Sequence, residues 1–157
     1  MLLFAYGSNL AEEQVPGAEC LGIALLQGHR LELNRRSIRW RGGVVDVVPA
    51  EGERVWGVLY EVGEPGLAAL ERKEGAGLAY RRVPVEVERG GERVAAETYE
   101  VIRKEPDAPP ATAEYAELVL RGARERGLPD DWLAVLGSVL RGLDRCAAGR
   151  AGCFRNG

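Results

Sequence analysis

A chain of 157 residues with 46% hydrophobic content has the length and apolar mass of one globular domain, here taken as residues 1–157. Lys+Arg 21 against Asp+Glu 24, a formal net charge of -3, provides no field that would hold nucleic acid or an anionic membrane, so a small molecule is the expected partner. No apolar run approaches the ~20 residues of a membrane span and no basic leader precedes the first strand, which points to a soluble, cytoplasmic protein.

Two residue types narrow the chemistry further. Cys20, Cys146 and Cys153 form an odd set with no Cys-x-x-Cys spacing, which argues against a disulfide framework or a zinc site. Reduced thiols are expected, with Cys146 and Cys153 the candidates for an exception near the tail. His29 is the single histidine, so a Ser-His-Asp or Cys-His system would need it, and a typical catalytic metal site would need more imidazoles. A structural or solvated His29 leaves acid–base chemistry to a carboxylate or a tyrosine.

In chain order, Leu2 to Tyr6 reads as a strand, broken by Gly7-Ser8-Asn9, residue types suited to tight or left-handed turns. Asn9-Leu10-Ala11-Glu12 has capping-box spacing, so Ser8 or Asn9 is expected to cap a short helical turn. Such a unit gathers backbone N–H groups into a small anion cradle; the plainer alternative is an ordinary strand-to-loop turn. Cys20 to Leu33 reads as a strand bent near Gly28. The cluster Arg35-Arg36-Ser37-Ile38-Arg39-Trp40-Arg41 is either a phosphate or RNA patch or a solvated loop or strand edge, and the acidic whole favours the latter. Val44 to Val48 and Val55 to Val62 read as two strands joined by a turn at Pro49 to Glu53.

Glu64 to Gly75 has helical patterning, with Pro65 suited to the first turn and Gly75 to the stop. Tyr80 to Val87 and Arg93 to Ile102 alternate with period two around the Gly90-Gly91 hairpin signal. After Pro106 to Pro110, two amphipathic helices are expected over Thr112 to Gly127 and Pro129 to Leu143, the second with a core stripe through Trp132, Val135, Leu136, Val139, Leu140 and Leu143. The tail from Ala147 on is expected to fray. Strands first and helices last give an α+β domain on a curved, partly closed sheet.

One carboxylate sits against this pattern. At about 100° per residue, Glu74 falls between Leu67 and Leu70 on the helix wheel, while Glu71 lies at the edge of the stripe and Arg72 and Lys73 point to solvent. Burial and the negative end of the helix dipole would both raise the pKa of Glu74 and suit it to general-base work. Fraying of the last turn into water is the alternative, and spacing alone leaves both open.

Taken together, Phe4-Ala5-Tyr6-Gly7-Ser8-Asn9-Leu10, Val55-Trp56-Gly57-Val58-Leu59-Tyr60 and Leu70-Glu71-Arg72-Lys73-Glu74-Gly75 with Tyr80 resemble the γ-glutamylcyclotransferase family and its wider AIG2-like superfamily. The likeness continues through Ala108-Pro109-Pro110, Tyr115, Gly122-Ala123 and Gly127-Leu128-Pro129. It implies a small mixed β-barrel with flanking helices. It also implies a cofactor-independent and metal-independent enzyme that closes a γ-glutamyl compound to 5-oxoproline and releases an amine or amino acid. Glu74 matches the family's catalytic glutamate, the turn of Tyr6, Gly7, Ser8 and Asn9 its substrate-binding loop, and Tyr80 and Tyr115 its pocket tyrosines; core packing is the other role open to the two tyrosines. Two further readings stand beside it: action on γ-glutamylamines, and a binding module that turns nothing over. The Arg35 to Arg41 cluster has no role implied by the likeness.

Overall fold

The computed structural model describes residues 1–74 and 79–143, with Glu74 described by its backbone alone. The Glu74 side chain, Gly75, Cys146, Cys153 and the tail from Ala147 therefore lie outside the described residues. Five strands close into a barrel in the order β1-β3-β2-β4-β5: β1 (Leu2–Ala5), β2 (Glu19–Ser37), β3 (Gly42–Glu61), β4 (Tyr80–Arg89) and β5 (Glu92–Val101). Helix α1 (Glu64–Glu74) joins β3 to β4, and α2 (Ala113–Glu125) and α3 (Asp130–Leu140) follow the last strand. The mixed character comes from one seam, since β1 runs antiparallel to β3 but parallel to β5. Among the described residues no helix is long and apolar enough to cross a membrane.

The strands are built from what the sequence offers. In β1, Leu3, Phe4 and Ala5 are all buried, because neighbours cover both sides of the strand. In the β4–β5 hairpin the pairing runs without a slip from Tyr80↔Val101 to Arg89↔Glu92, and Gly90 and Gly91 both adopt positive φ in the turn. The helices keep their expected places, with Thr112 capping α2 by accepting from the Tyr115 amide. In α3, Trp132, Leu136, Val139 and Leu140 are buried.

Two sequence expectations change. Val44 to Val48 and Val55 to Val62 do not pair with each other across a turn. Val44 to Val48 and Val55 to Glu61 lie on the single strand β3, where they pair with successive parts of β2, Val48 with Arg30 and Val55 with Leu26. Between them the register jumps from Gln27↔Arg54 to His29↔Pro49, so the turn-forming residues around Gly52 bulge against Gly28. Secondly, Leu143 is exposed and lies beyond the end of α3, outside the core stripe. His29, as expected, is not in the core: it sits at the bulge, its Nδ1–H donating to the Gln27 carbonyl at 2.9 Å.

Among the described residues one charged group is fully buried. Asp46 on β3 accepts from Asn34 Nδ2 at 2.9 Å, from the Val101 amide at 2.9 Å and from Lys104 Nζ at 2.7 Å, tying β2, β3 and the end of β5 together. A carboxylate there is tolerable because three donors replace its lost hydration. Asp46→Ala strands the Asn34 and Val101 donors and should cost about 3 kcal/mol. Urea denaturation checks this, and a loss below about 1 kcal/mol would contradict the assigned role.

Candidate active site

Strand β1 ends at Ala5 and delivers the chain into two short 3₁₀ turns, Ser8–Leu10 and Glu12–Gln14. The amides of Leu10 and Ala11 are used within the turns, donating to Gly7 O at 3.0 Å and Ser8 O at 3.1 Å. The leading amides of such a turn have no acceptor inside it. Gly7 adopts φ -124, which is not left-handed, so its presence has another cause: a Cβ there would stand 2.7 Å from Val45 Cγ2. The close approach of the turn to β3, and not a left-handed bend, calls for glycine.

The expected capping box is absent, since neither 3₁₀ turn has a side-chain cap. Asn9 has a different partner. Its Oδ1 accepts from Lys73 Nζ at 2.6 Å, and the same ammonium donates to Gln14 O at 2.7 Å. Lys73 therefore does not point to solvent as its wheel position suggested. It reaches from the last turn of α1 to both ends of the 8–14 segment and fastens the residue before Glu74 to the turn. Glu71, at the edge of the stripe as expected, accepts from Tyr99 Oη at 3.3 Å and pairs with Arg82 at 3.2 Å.

Two elements hold the turn from behind. Helix α2 lies against it through Gly122, where a Cβ would stand 2.6 Å from the Ala11 nitrogen. The Leu10 carbonyl accepts from Tyr60 Oη at 3.2 Å and from Arg126 Nε at 3.3 Å, while Arg126 Nη2 donates to Tyr60 Oη at 3.0 Å. Burial pushes the Tyr60 phenol above its ordinary pKa, and the neighbouring guanidinium offsets only part of that. Burial by itself would lower Arg126, yet its hydrogen bond to Tyr60 raises it.

In front of the turn is a shallow pocket, with about 370 Å³ of open space when the part continuous with solvent is included. Tyr6, Gly7, Ser8 and Asn9 form one wall, Tyr80 at the start of β4 and Tyr115 on α2 form others, and Val45, Thr98 and Tyr99 complete it. The Tyr6 hydroxyl donates to the Tyr99 carbonyl at 2.5 Å, and the Tyr115 hydroxyl accepts from the Val45 amide at 3.2 Å, so both rings are fixed by the barrel. The structure thus brings together six of the seven residues singled out from sequence; the seventh, Glu74, ends α1, and its side chain lies outside the described residues. Sequence reasoning missed Thr98 and Tyr99, whose period-two pattern gave no sign that β5 lies beside β1. Thr98 Oγ1 donates to the Phe4 carbonyl at 2.8 Å across that seam. Among the described residues no group of three His, Cys, Asp or Glu side chains is placed to hold a metal ion.

The model of the AIG2-like family matches residues 54–136. The chain belongs to that family. It is 31% identical over 149 residues to a γ-glutamylcyclotransferase from Homo sapiens, covering 88% of this chain and 78% of that protein. A Bos taurus γ-glutamylcyclotransferase is 30% identical over the same shares. A γ-glutamyl cyclotransferase of known structure superposes with a TM-score of 0.82 at 26% identity, over 99% of this chain and 94% of the other. The mixed barrel with its flanking helices is the fold of this AIG2-like chain.

The Tyr60–Arg126 pair behind the turn has a measurable signature. Because the folded-state pKa of Tyr60 lies above that of the unfolded chain, its stabilising contribution is complete below about pH 10 and is lost as pH rises through the folded value. Urea denaturation should show stability falling above about pH 10, with a shallower fall in Tyr60→Phe. Equal slopes in the two proteins would rule out the buried phenol as the cause.

Proposed function

We propose that this AIG2-like protein is a γ-glutamylcyclotransferase, which converts a γ-glutamyl amino acid or peptide into 5-oxoproline and a free amine. The observation that carries the reading is the Lys73 link, which holds the helix end bearing Glu74 against the turn that walls the pocket. The names of the relatives support the same activity. No metal or organic cofactor has a part in the reaction as proposed.

In this reading the γ-glutamyl group lies along Tyr6, Gly7, Ser8 and Asn9, between the rings of Tyr80 and Tyr115. Glu74 takes a proton from the substrate's α-ammonium. The freed amine attacks its own γ-carbonyl carbon, the C–N bond of a five-membered ring forms, and the carbonyl oxygen becomes an oxyanion that backbone donors can meet. Glu74 then returns the proton to the departing nitrogen, the amide C–N bond breaks, the carbonyl re-forms, and the second proton left on the ring nitrogen passes to the released amine, which departs as an ammonium. Since substrate supplies both nucleophile and electrophile, the pocket acts mainly by holding the two ends of one molecule close together. The rigidity of Tyr6 and Tyr115, each hydrogen-bonded to a strand, serves that purpose.

The test is 5-oxoproline release from γ-glutamyl amino acids by the native protein and by Glu74→Gln. The variant should lose about 10²–10⁴ in kcat with an unchanged urea midpoint. Near-native turnover in Glu74→Gln would remove Glu74 from the reaction, and no release by the native protein from any γ-glutamyl compound would overturn the function itself.

A further inference from the structure

The Arg35–Arg41 cluster acquires a setting in the structure that composition did not give it. It forms the end of β2 and the turn into β3, and that turn is one wall of a second, larger cleft with about 920 Å³ of open space. Ser8, Tyr80 and Tyr115 line both spaces, so the cleft opens directly from the pocket. Arg35, Arg39 and Lys73 line it, and among the described lining residues there is no carboxylate.

Among the described residues, the two arginines face rings and not acids. The Arg35 guanidinium carbon lies 5.7 Å from the centroid of Tyr80, and that of Arg39 lies 4.8 Å from the centroid of Trp40. Trp40 is in turn packed at 5.5 Å against Tyr115. Several other guanidinium groups of the barrel are paired with acids, Arg30 with Glu32, Arg81 with Glu100, Arg82 with Glu71 and Glu97, whereas Arg54 lies over Trp56 outside the cleft. Among the described residues neither Arg35 nor Arg39 has a carboxylate partner. In a chain of net charge -3, a concave surface carrying two arginines that have no carboxylate partner among the described residues is a local field that attracts an anion.

The geometry points to Arg35 and Arg39 as a subsite for the leaving group, selecting substrates whose released amine is itself acidic. The inference rests on the cyclotransferase reading. A γ-glutamyl group held along Tyr6 to Asn9 sends the rest of the substrate past Tyr80 and Tyr115, into the cleft. A dicarboxylic amino acid released there carries two carboxylates and can meet both planar, fork-shaped donors. A neutral amine can meet neither. The favoured class is therefore a γ-glutamyl derivative of an acidic amino acid, with γ-glutamyl neutral amino acids behind it and γ-glutamylamines last.

The experiment measures two things on the same proteins: binding by calorimetry and 5-oxoproline release. γ-Glutamylglutamate, γ-glutamylalanine and γ-glutamylbutylamine are compared on the native protein, Arg35→Gln, Arg39→Gln and Arg54→Gln, the last removing an equal charge from an exposed site outside the cleft. Each cleft variant should weaken γ-glutamylglutamate binding and its kcat/KM by about tenfold and leave γ-glutamylbutylamine unchanged. Arg54→Gln should behave as native, and the native preference for the acidic compound should shrink with added salt. Arginine-dependent binding of γ-glutamylglutamate without 5-oxoproline release would keep the subsite and overturn the cyclisation. Release from all three compounds at similar kcat/KM, indifferent to Arg35 and Arg39, would overturn the subsite and keep the cyclisation. Neither binding nor release would overturn both.

Discussion

Strand β1 pairs with β3 along one edge and with β5 along the other, so Leu2–Ala5 both close the barrel and launch the turn that walls the pocket. Closure removes the open edge that a four-residue apolar strand would otherwise leave. It also fixes the direction in which the chain leaves Ala5. Thr98, whose hydroxyl donates to the Phe4 carbonyl, and Tyr6, whose hydroxyl donates to the Tyr99 carbonyl, stitch the seam one residue to either side of that exit. The position of the pocket follows from the position of the seam.

The turn itself is held from three directions by different kinds of contact. Behind it, the bare backbone of Gly122 lets α2 approach to contact distance, and Tyr60 with Arg126 fills the Leu10 carbonyl. Below it, Val45 sets the space that only glycine fits at position 7. At its far end, Lys73 gathers Asn9 and Gln14 onto the end of α1. A short turn with so few bonds of its own owes its shape to these neighbours.

Much of this was legible in the sequence. The apolar strand run at Trp56 to Tyr60, the Gly90-Gly91 hairpin and most of the amphipathic stripe of α3 each state a local preference that the fold keeps, because packing and propensity agree there. The turn chemistry at Pro49 to Glu53 misled, since those residues bulge against Gly28 within one long strand and never reverse the chain. Lys73 misled for a related reason. A helical wheel assigns a direction at Cβ, but four methylenes allow the ammonium to reach a half-buried site that the wheel cannot display. Asp46 was silent because an acid in a valine run announces neither its burial nor its three donors. The pocket residues of β5 were silent because a parallel contact between β1 and β5 leaves no local trace.

That parallel seam has a consequence for how the protein comes into being. Leu2–Ala5 is synthesised before either neighbour, and its partners at Val58–Glu61 and Glu97 follow some sixty and ninety residues later, as the pairings Leu2↔Glu61 and Leu3↔Glu97 require. Until then an apolar strand waits with both edges bare. The pocket takes walls from β1, β3, β4, β5 and α2, so it has no partial form that a half-made chain could assemble. Long-range closure of this kind is slow relative to helix or hairpin formation. The working site is among the last things the chain acquires, and a bound ligand would report that every earlier step had succeeded.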